Sequence, residues 1–382
     1  MTGQTTTDVH SIPQMRAQRW QALAEDRCVL SGISVYTQIF IGMALDLHGH
    51  VSTPGSLSIL LTIPFALLLL FLARRTAWNA AGESGTIEFA AGKHGKKCIL
   101  FLFLLLHLMD AQLIFVSLCA MLLDAMPGHS LWKMALLIAP VLAWANSGRQ
   151  EDALVRLSRF LKWIIFLLLL STFLGAVPHG RAAHFFPILG YGWKNIVQGA
   201  LWMCGAVSGC AWPLLMPQNQ QTLSPMLTDK RKTVIPTLLS IIAGCATMAV
   251  SVWLMPFYAM ARAETLGWRL MLVANMTPSI PAWSTETVGI LLLFFLSLSH
   301  SARQASALAA RMAGKRAAAG WVTLLLLLAL VPCAVLQDAA IQEALIHLAF
   351  LRGPVTLILL LGLYCSGTIR KKKQRKGKEQ AP

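Results

Sequence analysis

Uninterrupted apolar stretches are the feature that most restricts how this chain can fold. Examples are "IPFALLLLFLA", "WIIFLLLL", "GILLLFFLSLS" and "WVTLLLLLAL". An α-helix needs about 20 mainly apolar residues to cross the hydrocarbon core of a bilayer. Only 13% of the 382 residues are charged, whereas soluble proteins carry about 25%. The sequence therefore predicts a polytopic membrane protein.

Apolar windows predict ten transmembrane helices. They lie at about 28–47, 56–73, 98–123, 130–146, 160–177, 195–216, 233–255, 284–301, 320–337 and 348–366. These spans divide the chain into three parts. We expect a cytoplasmic N-terminal tail at 1–27, a ten-helix transmembrane domain at 28–366, and a basic cytoplasmic C-terminal tail at 367–382.

The distribution of lysine and arginine predicts the orientation in the membrane. With the N-terminus placed inside, 26 of the 32 lysines and arginines fall in cytoplasmic segments, and six, Arg352 among them, fall in outer segments. This asymmetry follows the positive-inside rule, so we expect both termini in the cytoplasm. The N-terminal segment lacks the basic, apolar and cleavable regions of a signal peptide, so we expect it to be retained.

The same distribution accounts for the net charge of +16. The C-terminal sequence "RKKKQRKGKEQAP" is a juxtamembrane basic cluster, and such clusters attract anionic lipid headgroups. Nucleic-acid binding requires a folded basic face with aromatic or groove-reading elements, and we recognise none in the sequence. We therefore expect anionic lipid at the C-terminal tail and no nucleic-acid partner.

Sequence motifs for catalysis and for metal or cofactor binding are missing. The sequence contains no G-x-S-x-G, no H-E-x-x-H and no P-loop. Its eight cysteines show neither C-x-x-C nor Cys/His metal spacing, which indicates buried free thiols. His48 and His50, which follow Asp46 in a predicted loop, have no third metal ligand at a suitable spacing. We expect no enzyme, no cofactor and no metal site.

The sixth predicted span contains an unusual number of residues that weaken helices. The stretch "GALWMCGAVSGCAWPLLMP" carries Gly199, Gly205, Gly209, Pro213 and Pro217. In lipid, a weakened helix backbone is tolerated only where protein or a cavity satisfies its polar groups, and many secondary transporters bind small ligands there. The alternative is close packing, because Gly205 and Gly209 form a small-xxx-small pattern. Spacing alone favours packing.

The longer run "FFPILGYGWKNIVQGALWMCGAVSGCAWPLLMP" resembles the B subunit of the nutrient germinant receptors of bacterial spores. That permease-like family belongs to the amino acid–polyamine–organocation superfamily. The similar features are a proline-containing segment, a glycine-rich approach, a Ser-Gly pair and a proline-bearing exit. They correspond here to Pro187, Gly190, Gly192, Ser208, Gly209 and Pro217.

Two further segments extend the resemblance over nearly the whole chain. "ISVYTQIFIGMAL" is similar to the family's first span, and "GRQEDALVRLSRFLKWIIF" is similar to the segment that leads into its fifth. The chain departs from the family in two places. After Gly42 it lacks the expected second glycine of the first-span break, and Ala211 stands where an acidic residue is expected.

The resemblance implies an all-α fold of ten transmembrane helices, arranged as inverted repeats of five around broken first and sixth helices. It implies that a small nutrient, an amino acid by class, binds between the first, third, sixth and eighth spans. It also implies two partners, a larger membrane receptor subunit and a lipoprotein subunit, in the inner membrane of a spore. The expected ligand contacts are Thr37, Gly42, Gly205, Ser208 and Gly209.

Two ionisable residues lie within the third predicted span, "FLFLLLHLMDAQLIFVSLC". His107 and Asp110 are three residues apart and therefore share one helix face. Ionisable residues inside membranes are rare, usually face the bundle interior, and often mark ion or proton pathways. The pair is thus a candidate proton or polar relay. The alternative is a hydrogen-bonded pair that fixes helix packing.

Two functions remain open from the sequence. In the first, the protein senses a nutrient and signals to partner subunits, which requires only a different affinity for two arrangements of the bundle. In the second, it is a secondary transporter that moves an amino acid or amine together with protons. Coupled transport needs a titratable group, and His107 and Asp110 are the best candidates in the sequence.

Overall fold

The structure is a computed structural model that describes residues 11–45, 55–81, 85–125, 138, 151–185, 192–216, 220–254, 285–313 and 338–379. Within these ranges the regular elements are all helical. The α-helices are α1 (Ser11–Gly42), α2 (Gly55–Leu60), α3 (Ile63–Asn79), α4 (Thr86–Ala125), α5 (Glu151–Ala176), α6 (Trp193–Val207), α7 (Trp212–Leu215), α8 (Gln220–Thr228), α9 (Arg231–Leu254), α10 (Thr285–Ala313) and α11 (Asp338–Glu379). Short 3-10 helices occupy Val177–His179, Ala182–Phe185 and Ser208–Ala211.

Seven segments of the described chain are long and apolar enough to cross a membrane. They are Trp20–Leu45, Gly55–Asn79, Gly95–Leu122, Leu154–His179, Arg231–Leu254, Val288–Met312 and Ile346–Gln374. Each coincides with one of the ten predicted spans. The predicted spans at 130–146 and 320–337 lie outside the described residues, apart from Ile138, and so does the loop with Asp46, His48 and His50. The remaining predicted span, at 195–216, is described and is broken.

α1 lies at the centre of the helix bundle. Its membrane-spanning part is the most buried of the seven segments, and the helix contacts α5, α6, α9 and α10. The Tyr36 hydroxyl is hydrogen-bonded to Thr247 Oγ1 on α9 at 2.8 Å, and Ser240 Oγ donates to the Gly32 carbonyl at 2.7 Å. A Cβ at Gly32 would lie only 3.0 Å from Ser240 Oγ. The missing side chain therefore allows α1 and α9 to approach closely.

α5 lies at the outside of the bundle. Five of its large apolar side chains are more than half exposed, namely Phe160, Trp163, Phe166, Leu167 and Leu174. An apolar surface of this kind marks a region that contacts membrane or another protein. On a helix long and apolar enough to span the bilayer, we assign it to lipid.

Two ion pairs join helices at the end of the bundle expected to face the cytoplasm. Arg159 Nε lies 2.8 Å from Asp26 Oδ2 and links α5 to α1, and Lys232 Nζ lies 2.8 Å from Glu25 Oε1 and links α9 to α1. The side chains of Arg159 and Glu25 are 53% and 49% exposed. Each pair therefore contributes no more than about 1 kcal/mol, because water screens it.

The C-terminal part of α11 docks on the first turns of α4. Gly92 interrupts α4 with a φ of 69°, a left-handed conformation that glycine adopts without strain. Arg370 donates hydrogen bonds to the carbonyls of Phe89 and Ala91, at 3.3 and 3.4 Å. The neighbouring Lys371 donates to the Trp78 carbonyl at 3.2 Å. Two cations of the predicted basic tail thus bind the protein's own backbone.

Candidate functional site

The sixth predicted span is broken where the sequence predicts it. α6 ends at Val207, a 3-10 helix covers Ser208–Ala211, and the four-residue α7 follows. Ser208 Oγ donates to the Gly205 carbonyl at 2.7 Å, which gives the backbone a local alternative to the α-helical hydrogen bond. Pro213 lies in the first turn of α7, where its missing N–H is tolerated. The break is a tightened turn rather than an extended loop.

The first predicted span also changes conformation, at Gly42. The α-helix ends there and a π-helical turn follows at 43–45. Such turns are rare and are found frequently at functional sites. Residues 46–54, which follow this turn, lie outside the described part of the chain.

A cavity lies beside these two irregular segments, between α1, α4, α6 and α11. Apolar side chains and Gly42 form most of its lining, and the polar side chains that reach it are Gln38, Arg352 and the indole of Trp202. The volume of this cavity that the centre of a water-sized sphere can occupy is about 20 Å³. That is room for one or two water molecules. In this arrangement of the helices the cavity is water-sized and partly open to its surroundings.

The cavity differs in one respect from the expected position of the site. The first, third and sixth predicted spans contribute to its lining, as expected from the resemblance. The tenth span contributes Ile346, Ala349 and Arg352, and no described residue of the eighth span takes part. α10, which corresponds to the eighth span, packs instead against α1 and α4.

Arg352 and Asp110 form a buried ion pair at this cavity. Arg352 Nε lies 2.5 Å from Asp110 Oδ1, and the two side chains are 1% and 3% exposed. Arg352 Nη2 also donates to Gln38 Oε1, and to the Gly205 carbonyl at 3.0 Å. One guanidinium therefore ties together α1, α4, α6 and α11. The assignment of Arg352 to an outer segment was wrong, because this side chain is buried among helices.

His107 lies near Asp110 but is not hydrogen-bonded to it. Its ring centroid is 4.5 Å from that of Trp212, and neither of its ring nitrogens has a hydrogen-bond partner among the described residues. Gln38 and Trp212 lie next to the Asp110 carboxylate. The structure thus brings both predicted relay residues to one place and engages Asp110 with a cation from another helix. The relay role itself stays a prediction.

Of the five predicted ligand contacts, Gly42 lines the cavity and Gly205 contacts Arg352. A Cβ at Gly42 would lie 2.8 Å from Met203 Cε. Gly205 contributes its carbonyl to Arg352, while its α-carbon packs on α11. A Cβ at Gly205 would lie 1.8 Å from the Ala349 carbonyl oxygen. Gly205 is thus a close-packing residue as well as a hydrogen-bond acceptor at the site.

The other three predicted contacts have their polar groups bonded within the protein. Thr37 Oγ1 is hydrogen-bonded to Ser297 Oγ at 2.7 Å and fixes α1 to α10. Ser208 Oγ donates to its own helix, as described above, and the Gly209 carbonyl accepts from Ser31 Oγ at 3.1 Å. None of the three lines the cavity. Their role in ligand binding remains a prediction.

Arg352 is the charged residue of the site that the sequence analysis missed, and the polar residues Gln38 and Trp202 were not among the predicted ligand contacts either. A signal was present, because Arg352 falls inside the predicted span 348–366. An ionisable residue inside a span suggests a functional site, with an oppositely charged residue as its partner. The partner itself is 242 positions away, at Asp110, and no local pattern connects the two.

Comparison with solved structures shows which fold this bundle has. It is similar to the substrate-bound, outward-open state of a Na⁺-coupled sialic acid symporter, with a TM-score of 0.57 and 12% identity over 88% of this chain and 78% of that chain. The chain has a secondary-transporter fold. A manganese transporter from Eremococcus coleocola, in complex with an aromatic bis-isothiourea substituted compound, is similar with a TM-score of 0.53 and 10% identity over 90% of this chain and 76% of that one.

At these identities the comparison shows the fold alone. The fold is the one that these two transporters share, and it confirms the all-α, transporter-like architecture expected from the sequence. No protein-family model and no curated protein matches the sequence. The structure and the comparisons thus describe a multi-pass membrane protein with a transporter-like fold.

Proposed function

We propose that the protein is the germinant-sensing membrane subunit of a spore nutrient receptor. It binds a small nutrient, an amino acid by class, at the cavity between α1, α4, α6 and α11. Binding changes the arrangement of the helices, and partner subunits receive this change as the signal for germination. A larger membrane subunit and a lipoprotein are the partners that the sequence resemblance implies, in the inner membrane of the spore.

The engagement of Asp110 by Arg352 favours a sensor over a proton-coupled transporter. A coupled transporter needs a group that takes up and releases a proton in every cycle. Asp110 is held 2.5 Å from a buried guanidinium, so its protonation would leave the Arg352 charge unpaired inside the protein. Removing one partner of a buried ion pair costs about 3–5 kcal/mol. A sensor makes no such demand on Asp110 in a repeated cycle.

The small size of the cavity is also suited to a sensor. An amino acid is larger than the water-sized space now present, so it requires a second arrangement of the four helices. A ligand shifts an equilibrium between two arrangements by its difference in affinity for them. A ligand that fits one arrangement and is excluded from the other supplies a large difference. Alternating access in a transporter depends on the same difference in affinity, but a sensor needs only the first change of arrangement and no complete transport cycle.

The partner subunits provide the test of this proposal. The full chain with an N-terminal affinity tag is isolated under gentle solubilisation from membranes of sporulating cells, and mass spectrometry identifies what accompanies it. The expected result is stoichiometric recovery of one larger membrane subunit and one lipoprotein. An unrelated membrane protein with the same tag, from the same cells, is the control. Recovery of the chain alone, or of the same proteins with the control, refutes the receptor function.

The alternative is a proton-coupled transporter of an amino acid or amine. The position of His107 and Asp110 near the cavity is the observation that favours it. The purified chain is reconstituted into proteoliposomes, and a pH gradient is set up across their membrane. Uptake of radiolabelled amino acids is then measured for the wild type and for Asp110→Asn. Accumulation that needs the gradient and disappears in the variant supports transport. Uptake that is absent, or indifferent to the gradient, removes the alternative.

A further inference from the structure

The buried ion pair has a property that bears on the chemistry of the ligand. Arg352 lines the cavity and is 1% exposed, and its Nη1 has no hydrogen-bond partner among the described residues. A guanidinium carries five N–H donors in a planar fork that matches a carboxylate. A buried donor without an acceptor costs about 1–3 kcal/mol. The site therefore has unused capacity to bind an anionic oxygen.

The charges around the cavity further restrict which charged groups the ligand carries. Arg352 is the one charged side chain in the lining formed by the described residues. Asp110 contacts Arg352 but is not itself part of that lining. A ligand with only a carboxylate would either displace Asp110 from Arg352 or share Arg352 with it, and in both cases one buried negative charge lacks a cation of its own. A ligand with only an ammonium group would pair with Asp110 and leave the buried Arg352 charge without a partner of its own. Either outcome carries the penalty for an isolated buried charge.

We propose that the protein recognises a zwitterionic α-amino acid by exchange of ion pairs. The ligand carboxylate binds Arg352, the ligand ammonium group binds Asp110, and the direct Asp110–Arg352 contact opens. All four charges remain paired, so no buried charge is left alone. This inference rests on the proposed function, and it names both the class of ligand and the contact that the ligand breaks.

The remaining lining specifies the ligand's side chain. Leu45, Leu113, Met203, Ala206 and Ile346 are the aliphatic and thioether side chains around the cavity. They offer no hydrogen bond to a polar group, and an unpaired polar group buried there is unfavourable. Gln38 and the Trp202 indole are the uncharged polar groups beside them, so the ligand is an amino acid with a mainly apolar side chain.

The exchange also explains how the ligand is connected to the helices. Arg352 holds α11 to α4 through Asp110, to α6 through the Gly205 carbonyl and to α1 through Gln38. A ligand placed between Arg352 and Asp110 separates α11 from α4 by the width of its own backbone. The contact that recognises the ligand is thus the one that holds the four helices in their present arrangement.

Thermal unfolding of the purified full chain in detergent tests this inference without partner subunits. The probes are L-alanine, L-valine and L-leucine, each with its deaminated acid and its decarboxylated amine. We expect at least one amino acid to raise the Tm, with a midpoint concentration at least tenfold lower than that of either analogue. An analogue with one charge that binds as well as its amino acid overturns the exchange. Failure of all three amino acids overturns the ligand class.

Two double variants complete the experiment. Asp110→Asn with Arg352→Gln removes both charges together and leaves none unpaired, so this double variant should fold. The midpoint ligand concentration of its Tm increase should be at least 100-fold higher than that of the wild type. Glu25→Gln with Lys232→Gln removes an interhelical ion pair far from the cavity and should keep the wild-type shift. Equal shifts in both variants refute the inference. Since no partner subunit is present, this result is independent of the pull-down experiment.

Discussion

Replacing Gly205 by alanine is the sharpest test of how α6 packs on α11. The added Cβ would lie 1.8 Å from the Ala349 carbonyl oxygen and 2.9 Å from its carbonyl carbon. Both atoms belong to the backbone, so no side-chain rotation relieves the clash. An ordinary contact needs about 3.4 Å. The two helices would therefore have to separate by on the order of 1.5 Å.

Separation of this size has two costs. Overpacking of a well-packed interior costs about 1–3 kcal/mol. The hydrogen bond from Arg352 to the Gly205 carbonyl, now 3.0 Å, would lengthen beyond hydrogen-bonding distance, and a bond to a charged group contributes about 1.5–3 kcal/mol. We expect Gly205→Ala to lower the free energy of unfolding by about 3 kcal/mol or more.

Gly209 provides the matched control four residues further along the chain. A Cβ at Gly209 would have its nearest neighbour at 3.6 Å, which is an ordinary van der Waals contact. Gly209→Ala should therefore change the free energy of unfolding by less than about 1 kcal/mol. Reversible unfolding in mixed micelles with increasing SDS, followed by tryptophan fluorescence, gives both values. If Gly205→Ala is as stable as Gly209→Ala, the close approach of α6 and α11 is wrong.

Three further changes test other contacts. Asp110→Asn should destabilise the protein by about 3–5 kcal/mol, and adding Arg352→Gln should restore most of that loss in a double-mutant cycle; additive losses contradict a direct ion pair. Arg159→Gln should cost less than about 1 kcal/mol by the same unfolding assay, because the Arg159 side chain is 53% exposed and water screens its charge. A loss above about 2 kcal/mol would show that the pair is shielded from water. Arg370→Ala should speed hydrogen–deuterium exchange in the first turns of α4, whose carbonyls it binds, and unchanged exchange there would exclude this docking.

The helix positions and the main irregularity follow from local features of the sequence. Apolar runs of sufficient length predicted the seven described spans, because the thickness of the bilayer sets the helix length. Gly205, Gly209 and Pro213 predicted the break after α6, since glycine and a residue without an N–H both weaken a helix within one turn. The close approach at Gly205 was likewise one of the two interpretations that its spacing to Gly209 allowed.

The composition of the site was predictable only in part. Gly42 lines the cavity, and Gly205 and Asp110 contact Arg352, which also lines it. The roles of these residues in binding or in a relay stay predictions. The sequence did not predict that the tenth span, rather than the eighth, lines the cavity. α11 reaches the cavity because Gly205 and Gly353 lack side chains at the contact, where a Cβ on Gly353 would lie 3.0 Å from the Gly205 nitrogen. Such complementarity between two helices is not visible in either one alone.

The sequence by itself determined that the chain crosses the membrane as helices, which end is basic, and where the sixth span is interrupted. Each of these depends on residues within one or two turns of each other, or on a sum of charges. The tertiary structure alone decided that Arg352 belongs to the site and that Asp110 is its partner. Gln38 and Arg352 meet from positions 314 residues apart. A buried charge requires a partner, but only the packing of four helices determines which residue supplies it.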